Sequence, residues 1–246
     1  PGSAITIDVR RPGVKEIKSF KMNRGEIKMS NAPYSGIIRD HVGYVSLTTF
    51  TQDAGKNIAD AIKTMKKEDP LLKGVILDLR DNGGGLLMEA INIVNIFVPN
   101  GVEVVSTRGK VRDWDKTFTT QRPALDETLP VVVLINKHSA SASEIVSGAI
   151  QDLDRGVIIG QRSYGKGLVQ NTKDIGFNSK LKLTTSKYYI PSGRCIQSVS
   201  YRNGEPLDVP DNERHVFRTK GGRKVLDGGG VTPDILIVPD SGDAPV

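Results

Sequence analysis

Short apolar runs alternate with amphipathic helical patterns along the middle of this chain, and the alternation constrains the fold more than any other feature. Val131–Ile135 is wholly apolar, as a buried strand is, and Gly74–Leu79 has the same character. Ala54–Lys67 instead repeats its apolar residues at helical spacing, and Leu86–Phe97 is a second helical stretch. Because alternating strands and helices are typical of α/β proteins, the sequence predicts an α/β fold. Further strands are predicted at residues 44–50, 102–106 and 155–160, with short strands and turns from Leu181 onward.

The composition narrows the class of protein. A hydrophobic content of 37% and a charged content of 25% over 246 residues fit a soluble globular protein. The net charge is only +6 and the basic residues are scattered, which argues against nucleic-acid binding. No apolar run approaches the ~18 residues that cross a membrane. The single cysteine, Cys195, excludes an internal disulfide, and no His, Asp or Glu cluster has ligand spacing, so we expect no metal and no cofactor.

The first forty residues differ from the rest. Residues 4–29 alternate apolar and polar side chains on both sides of a turn at Pro12-Gly13, which predicts a β-hairpin. Residues 30–41 have the character of a connector. We therefore expect the main domain to begin at Gly43.

A row of small residues follows the strand 131–135 and leads into a helical pattern near Ser141. A serine at such a strand-to-helix turn can be held exposed, with helix N-terminal amides around it. Those amides favour a developing negative charge, which suits a nucleophile. Serine and alanine are also ordinary residues for a helix N-terminus, so this turn alone leaves both interpretations open.

A glycine-rich turn, Asp78–Gly85, leaves another buried strand and enters a helix. Its three glycines allow backbone N–H groups to converge on an anion, either a phosphate or an oxyanion, without side chains in the way. A turn with no further role is an equally good interpretation of these residues.

The stretch Gly160–Gly167 nearly spells a phosphate-binding loop, but Gly167 stands where that loop needs a serine or threonine. Nucleotide binding is therefore disfavoured. Lys166 offers another function, because a lysine buried among apolar groups loses its charge readily and can act as a base. An exposed loop lysine is the alternative.

The histidines give little support to a Ser-His-Asp triad. His138 lies three residues before Ser141, on the way into the turn, and we do not expect it to face the serine hydroxyl. His41 and His215 lie in no motif-like setting. A histidine base is therefore disfavoured.

Taken together, the motifs resemble those of the carboxyl-terminal processing peptidases, or tail-specific proteases, of serine peptidase family S41. The resemblance runs from about Gly43 to the end of the chain. It implies an α/β, crotonase/ClpP-like core of stacked strand–helix units at residues 43–200, with an added β-rich C-terminal segment at 201–246 that returns to pack on the core. It is carried by the stretches Ser139–Glu144, Asp78–Gly85, Gly165–Gln170, Lys187–Arg194 and Asp227–Asp234.

The resemblance also implies roles for individual residues. Ser141 would be the nucleophile and Lys166 the general base, a recognised variant of the catalytic triad. Gln170, expected one helical turn after Lys166, would orient the lysine. The oxyanion hole would take its N–H donors from Ala142 and from the glycine turn, at Gly85 or Gly84.

A family member with these residues would be a serine endopeptidase that cleaves protein or peptide substrates near exposed C-termini. It would be exported to the periplasm or cell envelope, and an oligomer is possible. Alternatives are a catalytically inactive crotonase-like binding protein or an acyl-CoA enzyme with similar oxyanion geometry.

One departure from the family pattern concerns the PDZ domain, which binds a substrate C-terminus by strand addition. Residues 1–42 match only a PDZ remnant hairpin and a linker, and Pro1-Gly2-Ser3 has the look of an expression-vector remnant. We therefore expect the PDZ domain to be largely missing, trimmed at this join.

Overall fold

The computed structural model describes residues 2–26, 30–202, 205–208 and 210–238. The chain divides into two compact units, residues 1–30 and 31–246. In chain order the strands are β1 (Ala4–Val9), β2 (Lys18–Asn23), β3 (Tyr34–Ile37), β4 (Val42–Ser46), β5 (Gly74–Asp78), β6 (Glu103–Gly109), β7 (Lys116–Thr119), β8 (Val131–Ile135), β9 (Val157–Gly160), β10 (Leu168–Asp174), β11 (Lys180–Tyr189), β12 (Val199–Arg202), β13 (Glu205–Asp208), β14 (Val216–Arg218), β15 (Lys224–Leu226) and β16 (Ile235–Leu236). The α-helices are α1 (Ala54–Glu68), α2 (Leu87–Phe97) and α3 (Ala142–Asp152).

The first unit is the predicted hairpin. Strands β1 and β2 pair antiparallel, with Ala4 opposite Asn23 and Val9 opposite Lys18. Within the described residues of this unit these two strands form a two-stranded sheet.

The second unit is built on a six-stranded sheet with the order β16-β9-β8-β5-β4-β3. Strands β4, β5, β8 and β9 run parallel, as the alternation of strands and helices predicts. Parallel strands are covered on both faces of the sheet, so their sequences are apolar throughout. Strand β8 fits this description, because Val131, Val133 and Ile135 are buried. The α/β fold class is therefore confirmed.

Three helices pack around this sheet. The face of α1 that carries Ile58, Ile62 and Met65 is buried, as its helical spacing predicts. Helix α2 contacts both α1 and α3. Helix α3 is buried along its whole length, and burying Ile145 and Ile150 contributes about 1.5–3 kcal/mol each. None of the helices within the described residues is long and apolar enough to cross a membrane.

A second sheet has the order β10-β11-β6-β7 and is antiparallel throughout. Its hairpin of β10 and β11 is mostly exposed, and Phe177 in the connecting turn is fully exposed. Strands β12 and β13 form one further hairpin, and β14 and β15 form another.

Two segments contribute more to the core sheet than the sequence indicated. Residues 30–41, expected to be a connector, supply β3, which pairs antiparallel with β4. The compact unit thus begins at Asn31 instead of Gly43. Near the other end, β16 returns to pair parallel with β9, so part of the β-rich C-terminal segment belongs to the main sheet.

A buried ion pair fastens the segment after β11 to α3. Arg194 Nη2 lies 3.0 Å from Asp152 Oδ1, and the two side chains are 1% and 0% exposed. The same guanidinium donates to Gln151 Oε1 at 2.7 Å and to the carbonyl oxygen of Leu226 at 3.1 Å. Since a charge buried this deeply needs such partners, the pair fixes where the segment crosses the end of the helix.

Candidate active site

Two turns meet at the carboxyl edge of the main sheet. The serine turn follows β8, and the glycine turn follows β5, its parallel neighbour. Asn136 and Asp81 join them directly, because Asn136 Nδ2 donates to Asp81 Oδ1 at 2.8 Å and Asn136 Oδ1 accepts the N–H of Asp81 at 3.0 Å. The two motifs are therefore neighbours in space, although more than fifty residues separate Asp81 from Asn136 in sequence.

The serines on either side of Ser141 have structural partners. Ser139 Oγ donates to the carbonyl oxygen of Leu79 at 2.8 Å, and Ser143 Oγ donates to that of Asn82, also at 2.8 Å. Both flanking serines are buried, whereas Ser141 is partly exposed. The Ser-Ala-Ser-Ala-Ser run thus uses its outer hydroxyls to attach the turn and leaves the middle residue accessible.

Ser141 has an unusual backbone conformation, with φ 57° and ψ −113° at the N-cap of α3. A residue other than glycine in such a region carries strain on the order of 1–3 kcal/mol, which persists only when the surroundings fix it. Here the hydrogen bonds of Ser139 and Ser143 fix the turn on both sides. Strain of this kind is found at functional sites, where it presents a side chain that a relaxed turn would not.

The glycine turn packs directly against the serine turn at Gly84. A Cβ on Gly84 would lie 2.7 Å from the carbonyl oxygen of Ala140 and 2.9 Å from the amide nitrogen of Ala142. The N–H of Gly84 itself donates to Asn82 Oδ1 at 2.9 Å. In the part of the chain that the structure describes, the amides of Ala142 and Gly85 donate to no acceptor. Between the two expected glycine donors, Gly85 therefore has the available N–H group.

The loop that carries Lys166 is attached to the same helix end through Glu144. Glu144 Oε2 accepts the N–H groups of Ser141 and Lys166, both at 2.8 Å. The backbone nitrogens of Ser141 and Lys166 are therefore no farther apart than the summed lengths of these two hydrogen bonds. The other oxygen, Oε1, accepts the N–H of Gly165 and the hydroxyl of Ser163, both at 2.6 Å.

The environment of Glu144 is unusual for a carboxylate. The residue is 0% exposed, and desolvation raises its pKa, although the hydrogen bond from Ser163 and three from backbone N–H groups oppose the rise. It lies in the first turn of α3, where the helix dipole favours a negative charge. The motifs in the sequence assigned no role to Glu144. The spacing Ser141-x-x-Glu144 was an available signal, since it is that of a capping box.

The structure bears on two interpretations of the base. The side chain of Lys166 is exposed, as in the alternative of an exposed loop lysine and not as in that of a lysine buried among apolar groups. Lys166 and Gln170 are not one helical turn apart, because Gln170 lies in strand β10 and is exposed. Since β10 begins at Leu168 and Lys166 lies in the loop before it, the expected helical geometry is wrong. The register of β10 against β11 shifts between Val169 and Gln170, and such irregularities redirect side chains.

Several other titratable groups take part in local pairs. At the end of β5, burial raises the pKa of Asp78, but hydrogen bonds from Arg80 and Tyr44 outweigh burial and lower it. Nδ1 of His41 lies 2.7 Å from Asp69, and that of His215 lies 3.2 Å from Asp227. Across residues 2–238 as described, no group of three or more His, Cys, Asp or Glu side chains could hold a metal ion.

Comparison with known proteins agrees with this geometry. A family model described as peptidase family S41 matches residues 41–202. The chain is 40% identical over 216 residues to the carboxy-terminal-processing protease of Bartonella bacilliformis, a match that covers 87% of this chain and 49% of that protein. It is 30% identical over 215 residues to the carboxy-terminal processing protease CtpB of Bacillus subtilis, covering 85% of this chain and 43% of the relative. The chain thus spans about half the length, or less, of these curated relatives.

A solved structure shares the fold. The photosystem II D1 C-terminal processing protease superimposes with a TM-score of 0.63 and 24% identity, over 97% of this chain and 56% of that chain. The family match extends from before the glycine turn to beyond the loop that carries Lys166, and so contains all the residues assembled at the sheet edge. On this ground the chain belongs to peptidase family S41.

Proposed function

We propose that this chain is a serine endopeptidase with Ser141 as nucleophile and Lys166 as general base, acting on protein substrates near their C-termini. One observation carries the proposal. A single oxygen, Glu144 Oε2, binds the backbone N–H of both residues, so the two short segments that bear the hydroxyl and the amine lie side by side. Serine–lysine pairs of this kind perform the work of the serine–histidine pair in other hydrolases.

The reaction begins when Lys166, in its neutral form, accepts the proton of the Ser141 hydroxyl. The serine oxygen attacks the peptide carbonyl, and the resulting oxyanion is bound by backbone N–H groups. Lys166 then gives its proton to the leaving amine, and water hydrolyses the acyl-enzyme. Because Lys166 is exposed, a bound peptide has to cover it to exclude water from the reacting pair.

The oxyanion donors in this proposal are the N–H groups of Ala142 and Gly85. Both are unengaged within the described residues, whereas the N–H of Gly84 is bound to Asn82. Loss of one such donor typically lowers turnover about 100- to 1000-fold. Gln170 orients the lysine only if its side chain reaches Lys166 across the irregular start of β10.

Two variants test the proposal. A serine-directed phosphonate labels the wild-type chain at Ser141, and Ser141→Ala abolishes both the labelling and peptide cleavage. Lys166→Ala reduces labelling because the hydroxyl loses its base. The matched control is Lys137→Ala, which removes another exposed lysine near the serine turn and leaves both activities intact. Peptide cleavage that survives Ser141→Ala would show the assignment to be wrong.

Recognition of substrate C-termini is a separate part of the proposal. The relatives named above are carboxy-terminal processing proteases, and they extend well beyond the part that this chain matches. Here residues 1–30 provide one small unit ahead of the core. For a polypeptide limited to these 246 residues we expect weak cleavage of unstructured proteins, with little preference between free and amidated C-termini. Strong discrimination between two such peptides of equal sequence would contradict this expectation.

A further inference from the structure

The glycine-rich stretch Gly228–Val231 lies against the loop of the proposed base. The N–H of Val231 donates to Ser163 Oγ at 2.7 Å, and the N–H of Ser163 donates back to the carbonyl oxygen of Val231 at 3.1 Å. A Cβ on Gly230 would lie 2.6 Å from Ser163 Oγ and 3.1 Å from Glu144 Oε1. This part of the C-terminal segment therefore closes the space around the Glu144 carboxylate.

The carboxylate of Glu144 is surrounded by donors and has no cation beside it in the described structure. Each of its two oxygens accepts two hydrogen bonds, three in all from backbone N–H groups and one from the Ser163 hydroxyl. Backbone donors cannot move away without moving the chain that carries them. Glu144 thus sets the distance between the serine turn and the lysine loop.

We propose that Glu144 is a positioning residue for the peptidase reaction and that Gly230 and Val231 hold it in place from the C-terminal segment. The inference rests on the proposed function, because it assigns a task to Glu144 only if Ser141 and Lys166 react together. Glu144 touches neither substrate nor reacting atoms in this role. It acts by keeping two segments at the spacing that proton transfer needs.

Glu144→Gln tests this role most sharply. An amide replaces one acceptor oxygen by an NH₂ group, which then faces either the N–H groups of Ser141 and Lys166 or the N–H of Gly165 and the hydroxyl of Ser163. In either orientation the lysine loop loses a backbone hydrogen bond to residue 144 and must shift. A misplacement of about 1 Å can lower the rate of reaction about 100-fold. We expect kcat to fall by about that factor with KM little changed, because the substrate-binding surface is left intact. Labelling of Ser141 by the phosphonate should slow in parallel.

The control is Glu89→Gln. Glu89 is a second buried glutamate that accepts a backbone N–H, that of Gly55 at 2.7 Å, but it joins α2 to α1. The same chemical change there should lower the melting temperature while leaving kcat unchanged. A kcat for Glu144→Gln equal to that of Glu89→Gln would overturn the proposal, as would a loss of kcat fully explained by a smaller folded fraction.

If Glu144→Gln does not fold, Gly230→Ala tests the same positioning role. Its Cβ presses on Ser163 and Glu144, and its φ is +73°. Gly222→Ala is the control, since Gly222 has φ +90° and nothing within 4 Å of a Cβ. We expect Gly230→Ala alone to lower kcat at unchanged KM. Equal kcat in the two alanine variants refutes the role of the C-terminal segment.

The proposed function fails in a different way. If the wild-type chain is not labelled at Ser141, the Ser141–Lys166 assignment itself is wrong. If the wild type is labelled and cleaves peptide, while Glu144→Gln does the same at an unchanged rate, only the positioning role of Glu144 is wrong.

Discussion

Replacing Gly84 by alanine should displace the serine turn without removing any side chain that takes part in the proposed chemistry. The added Cβ would lie 2.7 Å from the Ala140 carbonyl oxygen and 2.9 Å from both the Ala142 nitrogen and Ser141 Cβ, whereas ordinary contacts begin at 3.4 Å. These atoms belong to the backbone or to Cβ, so no side-chain rotation relieves the contact. The φ of +98° adds backbone strain, on the order of 1–2 kcal/mol for a residue with a Cβ.

The serine turn must therefore shift by a sizeable fraction of an ångström, and shifts near 1 Å lower reaction rates about 100-fold. The assay is the rate of Ser141 labelling by a phosphonate, together with kcat on a peptide. Gly83→Ala is the matched control, because a Cβ on the adjacent glycine meets nothing within 4 Å. Equal labelling rates for Gly84→Ala and Gly83→Ala, with both proteins folded, would refute the argument that close packing of the two turns positions the nucleophile.

Three further predictions concern stability and its pH dependence. Arg194→Met should cost about 3–5 kcal/mol in urea denaturation because it leaves Asp152 buried without its cation, and the double variant with Asp152→Asn should lose less than the two single losses combined. The hydrogen bond from Lys66 lowers the pKa of Asp126 below its usual 3.8, so the stability from this carboxylate is present above pH 3.8 and lost as the pH falls below it. Asp126→Asn should therefore be less stable than wild type at neutral pH and approach it in acid, and parallel curves would contradict the link. Ser139→Ala should lower the free energy of unfolding by about 1–3 kcal/mol, since its buried hydroxyl bonds two backbone groups, and an unchanged urea midpoint would contradict this.

The sequence was sufficient to predict the strands and turns that form the site, because these elements follow from local patterns. Apolar runs such as Val131–Ile135 identify parallel strands, and the carboxyl ends of parallel neighbours meet at one edge of the sheet. The meeting of the serine and glycine turns follows from that geometry. The strand–helix boundary at Ser141 was also accessible, since a serine with Glu144 three residues later marks a helix start.

The features that the sequence did not reveal depend on contacts between distant segments. A spacing of four residues suits one face of a helix and one face of a strand alike, so Lys166 and Gln170 alone could not show that β10 is a strand. Strand β16 has two residues, too few for a periodic pattern. Three of the four hydrogen bonds of Glu144 come from a loop some twenty residues farther along the chain, and no local pattern contains them.

The bond between Ser163 and Val231 has a consequence for how such a protein is made. Ribosomes add roughly 5–20 residues per second, so Ser141 and Lys166 emerge several seconds before Gly230 and Val231. Until that late stretch arrives, the pocket around Glu144 stays open to water on one side. Vectorial synthesis would thus delay the closing of this pocket until the stretch at Gly230 and Val231 has left the ribosome.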